Sequence, residues 1–352
     1  MFFDYLKRLG AYTVYRGKKV LRRTPPTLIS YSSKAIIHAP SETGIYPAPI
    51  TIEGQLERVT GNMHRPVPEV INNAISIEQF HKETTLHRLD NVTYDNGFIF
   101  MDGQAGYLSS LGVPRPAHAN HQKESILCST PSGALYFGDW IIMDTLLETI
   151  AEECNHPPLK VTPHMYYPHL VDVNKVLALS PHYTNTVTKF DHLYIPEDLG
   201  YNKNKVKRLK TLRKRFSDYA NNSHKPANNL YILRGGKASP RILSNEKQLT
   251  DYLETCGFSI IDPYEMEVDE IVQAVNNSNI VIGVEGSQLS YGSLGINEGG
   301  ILITLQPPFH FQPSFRPRCA SVGVRWGFLV GIENDKGFEI PLDDLKRLLD
   351  LC

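Results

Sequence analysis

The sequence predicts an α/β protein of two lobes, and three observations predict it. The chain has 352 residues, more than one typical core of roughly 100–200 residues accommodates. From Asn229 onwards, short apolar strands alternate with helical segments, an order that implies a parallel sheet with right-handed crossovers. Finally, Ile280-Val281-Ile282-Gly283-Val284 runs directly into Glu285-Gly286-Ser287-Gln288-Leu289, which reads as a strand, a glycine-framed turn and a helix start. Glycines let the backbone approach a ligand, and unpaired N–H groups with a helix dipole favour phosphate there.

The elements follow in chain order. Met1 to Arg23 mixes Phe2, Phe3, Tyr5, Leu6, Leu9, Tyr12 and Tyr15 with Lys7, Arg8, Arg16, Lys18, Lys19, Arg22 and Arg23, a pattern suited to a basic interfacial helix or to a terminal helix packed on the first lobe. Residues 24–75 are proline-rich, with strand-like Ala35-Ile36-Ile37 and Ile50-Thr51-Ile52. Val92-Thr93-Tyr94, Asp95-Asn96-Gly97, Phe98 to Met101 and Asp102-Gly103 signal a hairpin. Asp139 to Ala151 has apolar residues at helical spacing, with Asp139 as a suitable N-cap. Leu159 to Thr162 and Val187 to Ile195 read as strands, and Val173 to Ala178 as a helix. Lys203 to Phe216 is a helix joining the lobes, with a basic face that is either solvated or an anion-binding patch.

The C-terminal lobe is the most regular. Strands are expected at Asn229 to Arg234, Phe258 to Ile261, Ile280 to Val284 and Ile301 to Leu305, and helices at Asn245 to Cys256 and Val268 to Asn276. Ligands of such a sheet sit beyond the carboxyl ends of the strands. The predicted division is a basic segment and irregular β-rich lead-in over 1–85 belonging to the first lobe, an N-terminal lobe over 86–200, a C-terminal lobe over 201–340 and a closing helix over 341–352.

Composition narrows the function classes. With 41% hydrophobic and 21% charged residues and a formal net charge of -1, the chain reads as an ordinary soluble protein and not a nucleic-acid binder. Its five cysteines lack CxxC spacing, which argues against a zinc ribbon or a disulfide framework. No apolar run approaches the roughly 20 residues that span a bilayer. The expected location is cytoplasmic, with the basic N-terminus a candidate for peripheral contact at the inner face of a membrane.

Tyr231-Ile232-Leu233-Arg234, Arg241-Ile242-Leu243-Ser244-Asn245-Glu246, Leu253 with Gly257-Phe258, and Gly283-Val284-Glu285-Gly286-Ser287-Gln288-Leu289 occur in that order. This order resembles glycosyltransferase family 61, which pairs an arginine ending a strand with an R-x-x-x-N-E segment and a later G-x-H-G-[AS]-x-L loop. The resemblance extends over about residues 85–350, more loosely in the N-terminal half. It implies a GT-B-like fold of two Rossmann-like lobes with parallel sheets and a cleft between them. It also implies an inverting glycosyltransferase that uses a nucleotide sugar, UDP-linked in many members, and a glycan or lipid-linked glycan acceptor in surface or capsular polysaccharide synthesis. No metal or further cofactor is implied, and no D-x-D triplet occurs. Two positions depart from the family pattern: Glu285 replaces its histidine, and Asp139 stands where many members have a histidine before an aromatic residue.

Arg234 and Arg241 are the expected phosphate ligands, because guanidinium forks match phosphate oxygens. Lys237, Glu285, Gly286, Ser287 and Gln288 complete the expected donor site, and Asn245 and Glu246 either cap a helix or touch ligand. Inversion needs a base facing the donor. Asp139 is the first candidate and also reads as a plain helix cap; Asp102 and Glu285 are the alternatives. Phe309, Phe311, Phe315 and Trp326 read as a core edge, with stacking on a base or sugar as the secondary reading. A catalytically inactive sugar-nucleotide or glycan-binding partner is the competing function. A dinucleotide oxidoreductase fits poorly, since no G-x-G-x-x-G opens the first strand-helix turn of the lobe.

Overall fold

The computed structural model of the protein describes residues 2–20, 27–108, 112–163, 167–220, 229–235 and 241–352; Arg22, Arg23 and Lys237 lie outside them. In chain order the elements are α1 (Phe2–Val20), β1 (Lys34–Ala39), β2 (Glu42–Ile45), α2 (Val67–Ile75), β3 (Glu78–His81), β4 (Thr84–Asp95), β5 (Phe98–Met101), β6 (Gln104–Tyr107) and β7 (Asn120–Leu127). There follow α3 (Phe137–Asp139), a π-helical turn (Trp140–Asp144), α4 (Thr145–Cys154), β8 (Pro158–Leu159), α5 (Leu170–Val176), β9 (Thr188–Glu197) and α6 (Lys203–Ala220). The rest are β10 (Asn229–Ile232), α7 (Glu246–Thr255), β11 (Phe258–Ile261), α8 (Val268–Val275), β12 (Ile280–Val284), α9 (Leu289–Gly295), β13 (Ile301–Gln306), α10 (Phe315–Ser321), β14 (Arg325–Val330), a ribbon of β15 (Ile332–Asn334) and β16 (Gly337–Glu339), and α11 (Leu342–Leu349). The chain divides into two compact units: Met1–Glu42 with His81–Arg208, and Thr43–Phe80 with Leu209–Cys352.

The first unit departs from the parallel, Rossmann-like sheet expected for it. Its seven strands run β6-β5-β4-β9-β7-β8, with β1 also on β4. The β1–β4, β4–β5, β4–β9 and β5–β6 pairs are antiparallel, while β7 pairs in parallel with β8 and β9. Two turns explain the β4–β5 and β5–β6 pairs. Asn96-Gly97 joins β4 to β5 and Asp102-Gly103 joins β5 to β6, all four residues with positive φ between 43° and 85°. Such two-residue turns fold a strand directly back on its neighbour and leave no room for a crossover helix. Asp102 therefore occupies an exposed hairpin tip.

The second unit is a five-stranded sheet in the order β11-β10-β12-β13-β14, parallel throughout. Its core joins Ile282, Ile303, Leu305 and Leu329 of the sheet to Leu249 and Leu253 of α7 and to Leu345 and Leu348 of α11. The sequence reading stopped the sheet at Ile301 to Leu305; β14 adds a strand whose apolar Trp326 to Val330 lies between Gly323 and Gly331. Thr43–Phe80 also belongs to this unit, not to the first lobe where the sequence reading put all of 1–85. Ile50 bridges Gly327, Arg58 Nη1 donates to Asp344 Oδ2 at 2.7 Å, and Arg316 Nη1 donates to the Asn73 carbonyl at 2.9 Å. The basic helix α6 is partly structural. Lys205 and Arg208 are buried on Asp198 at 3.4 and 2.8 Å, and Arg213 caps the carbonyls of Ser293 and Ile296 at the end of α9.

One feature of this sheet positions the site. β10 and β12 are neighbours, but the chain leaves β10 through α7 towards β11 on one side and leaves β12 through α9 towards β13 on the other. Their carboxyl ends thus bound a topological switch point, where open α/β sheets leave a crevice for ligand.

Candidate functional site

Arg234 lies two residues past β10, and Glu285-Gly286-Ser287-Gln288 directly follows β12, so both predicted segments meet at the switch point. Arg234 Nη1 donates to the Glu285 carbonyl at 2.7 Å. Arg241 Nη1 donates to the same carbonyl at 2.9 Å and also to the Glu285 carboxylate Oε2. Two guanidinium groups thus converge on one residue. Glu285 is only 6% exposed, so the carboxylate that replaces the family histidine is an inward partner of the arginines. Burial, followed by the neighbouring Arg241, pushes the Arg234 guanidinium down to about 10, with Glu285 opposing the shift.

Gly286 fits because of Arg234. A Cβ on Gly286 would lie 1.7 Å from Arg234 Nη1 and 2.5 Å from Gln288 Oε1, inside any real contact, so a side chain here would expel the guanidinium. Gln288 is buried and its amide donates to the Val284 carbonyl, which fixes the turn; Ser287 is partly exposed beside it. The helix that follows, α9, has only seven residues. Its dipole end is therefore a small source of positive potential, and the arginines supply most of it.

His310, missed at the sequence level, completes this cluster. Its Nε2 stands 3.9 Å from Glu285 Oε2. Burial, and then the charges of Arg241, Arg234 and His64, push its imidazole down to about 4, which leaves it neutral at physiological pH. The loop carrying it is clamped, since Gln306 donates to the Gln312 carbonyl at 2.9 Å and accepts from the Gln312 amide at 3.0 Å, while Thr60 and Gly61 N–H groups hold the Pro308 carbonyl. Its only sequence signal is position, four residues past the carboxyl end of the strand beside β12.

The other expectations for this unit separate cleanly. Asn245 makes no side-chain cap; it donates to the Ile340 carbonyl at 2.8 Å and accepts from the Ile340 amide at 3.1 Å, fastening the segment before α11. Glu246 accepts the Tyr231 hydroxyl at 2.7 Å, and burial raises its carboxyl. Neither residue bonds Arg241, whose partner is Glu285. Phe311, Phe315 and Trp326 are buried, with Phe311 and Trp326 both packed on Phe328, so the core-edge reading holds for them.

In the first unit Asp139 is not a helix cap. The helix begins two residues earlier, Asp139 has αR backbone angles, and its side chain makes no capping bond. It ends α3 and leads into the π-helical turn, a rare form that recurs at functional sites. At the end of this turn is Asp144, also unread in the sequence. Thr130 donates to Asp144 Oδ1 from its N–H at 3.0 Å and its hydroxyl at 2.8 Å. Gly133 leaves the space, because a Cβ there would lie 2.4 Å from Asp144 Oδ2. Burial raises the Asp144 carboxyl well above the ordinary range; the Thr130 bonds oppose this and the charge of Asp139 adds to it. Tyr167 donates to the Gly133 carbonyl at 3.0 Å and joins Phe137 and Trp140 in an aromatic cluster around the helix start.

Among the described residues no group of three or more His, Cys, Asp or Glu side chains could hold a metal ion, and no helix is long and apolar enough to cross a membrane. No curated protein matches the sequence. A family model, Glycosyltransferase 61, matches residues 55–292, a span that contains Asp139, Arg234, Arg241 and the Glu285 to Gln288 turn. With two thirds of its length matched, the chain belongs to glycosyltransferase family 61.

Proposed function

We propose that this glycosyltransferase moves a sugar, with inversion, from a UDP-linked donor to a glycan or lipid-linked glycan acceptor in surface or capsular polysaccharide synthesis. In this reading the second unit holds the donor and the first the acceptor. The observation that carries it is the convergence of Arg234 and Arg241 at the β10/β12 switch point. A diphosphate there meets two cations, the Gly286-Ser287 backbone and the neutral His310 ring, which can donate a hydrogen bond. Lys237 belongs to the same proposal and lies outside the described residues.

The chemistry follows from those groups. An acceptor hydroxyl attacks the anomeric carbon as the bond to the diphosphate oxygen breaks. The hydroxyl proton passes to a carboxylate, and the departing diphosphate gains negative charge that fixed cations stabilise without a metal. Asp139 is assigned as the base. Burial disfavours the charged form of Asp144, which limits negative charge around Asp139 and suits a base that must stay ionised.

The test is a screen of nucleotide sugars against glycan fragments, read by mass spectrometry and by NMR of the new anomeric proton. The proposal expects inverted product from wild type, loss of at least about 100-fold in kcat for Asp139→Asn, and UDP binding unchanged in that variant. Binding of UDP with no turnover of any sugar would leave the inactive binding partner as the better reading.

A further inference from the structure

The helix α1 is apolar on two sides, and among the described residues only one of them is packed. On the inner side Arg8 pairs with the buried Asp95 at 3.2 Å and donates to the Arg115 carbonyl at 3.0 Å. Ala11 and Tyr15 pack with Phe98, Phe100 and Ala105, and Tyr12 and Tyr15 meet Phe98 edge-on. The outer side carries Phe3, Leu6 and Val14, which are 73%, 44% and 52% exposed.

Successive residues of an α-helix turn by about 100°, so Phe3, Leu6, Gly10, Val14 and Gly17 fall within an arc of roughly 80°, away from Arg8, Ala11 and Tyr15. Basic side chains stand on both sides of this arc. Lys7 and Lys18 lie along one edge, and Arg16 lies past Thr13 and Leu9 on the other; Lys7 folds over the Phe3 ring at 5.2 Å, while Lys19 belongs to the inner side, its ammonium 5.9 Å from the centre of the Tyr15 ring. Asp4 is the one acidic residue of the helix, and the charge of Arg8 is spent on Asp95.

We propose that this outer face of α1 is a docking surface for an anionic phospholipid bilayer. A narrow apolar arc bearing an aromatic residue, rimmed by long cationic side chains, matches the interfacial zone of a membrane, where the rings enter the acyl boundary and the ammonium groups remain among headgroup phosphates. A protein partner would need to bring acidic groups on both edges of the arc; an anionic bilayer presents them everywhere. The inner face stays anchored, so the helix lies flat and keeps its packing on the first unit. The inference is independent of the donor site.

The full chain is mixed with vesicles of phosphatidylcholine alone and of phosphatidylcholine with phosphatidylglycerol, then sedimented. The expected result is co-sedimentation with the anionic vesicles only, weakened by salt. Phe3→Ser/Leu6→Ser/Val14→Ser and Lys7→Glu/Arg16→Glu/Lys18→Glu should each lower partitioning by about tenfold or more. Both leave the inner face intact, and unchanged circular dichroism and UDP binding would confirm the fold. Wild-type protein that ignores anionic vesicles overturns the proposal. So does a dimer in light scattering that the serine variant converts to monomer, since the face would then bind a second copy.

Discussion

Glu285 makes the sharpest prediction, because its carboxylate occupies one of the cations that a donor diphosphate needs. Both members of the Arg241–Glu285 pair are largely buried, with side chains 17% and 8% exposed. A phosphate bound on Arg241 would lie within about 6 Å of the Glu285 carboxylate, where two unit charges at an effective dielectric of about 20 repel by roughly 3 kcal/mol. Arg234 and Arg241 screen part of this, leaving ~1–2 kcal/mol against ligand. Glu285→Gln keeps the side-chain length and one oxygen for Arg241 while removing the charge. Calorimetric titration should show UDP binding tightened by about 5- to 30-fold. The unliganded Tm should fall, since Arg241 loses its carboxylate partner and Arg234 a nearby negative charge, and UDP should restore it. Unchanged or weaker UDP binding in this variant would show that Glu285 serves the ligand by orienting Arg241 and does not compete with it.

Three further outcomes follow from the same geometry. Gly286→Ala places a methyl group on Arg234 Nη1; UDP affinity should drop by about tenfold or more while the first unit remains intact by circular dichroism. His310, pushed down to about 4 in the folded chain, takes its proton near pH 6.5 when unfolded, so its contribution is complete above pH 6.5 and is lost as pH falls towards 4. Denaturant unfolding of His310→Asn should therefore lose roughly 2 kcal/mol less than wild type between those pH values; parallel pH profiles would refute the assignment. Asp144 has the opposite sign: its carboxyl is raised, so the folded state is penalised as pH climbs above the ordinary carboxylate range. Asp144→Asn keeps an acceptor for Thr130 and should raise Tm at pH 8 by ~2–4 °C, and a fall would contradict the buried-acid reading.

The second unit was legible because its signals are local. Apolar runs such as Ile280 to Val284, flanked by helices of the right length, specify parallel strands, and their order places Arg234 and the Glu285 turn at strand ends. The first unit was less legible, because two residues at each turn decide that the strand folds straight back; Asn96-Gly97 and Asp102-Gly103 carried that information, but only the first was read as a turn between strands. His310 and Asp144 escaped for a different reason. Neither lies in a motif, and each gains its character from burial against distant residues: His310 from Arg234 and Arg241, Asp144 from Thr130 and Gly133. The partner of Arg241 was likewise invisible, since Glu246 and Asp262 are closer in sequence than Glu285. Glu285 is the residue whose meaning changed most, from an unexplained carboxylate in a glycine turn to the group on which both arginines close.

The most direct test of the donor site is a crystal structure of the protein with UDP. The account predicts the diphosphate at the carboxyl ends of β10 and β12, hydrogen-bonded to Arg234 and Arg241, with the Glu285 carboxylate displaced from Arg241. UDP bound elsewhere in the second unit, or on the first, with the Arg241–Glu285 pair intact, would contradict it.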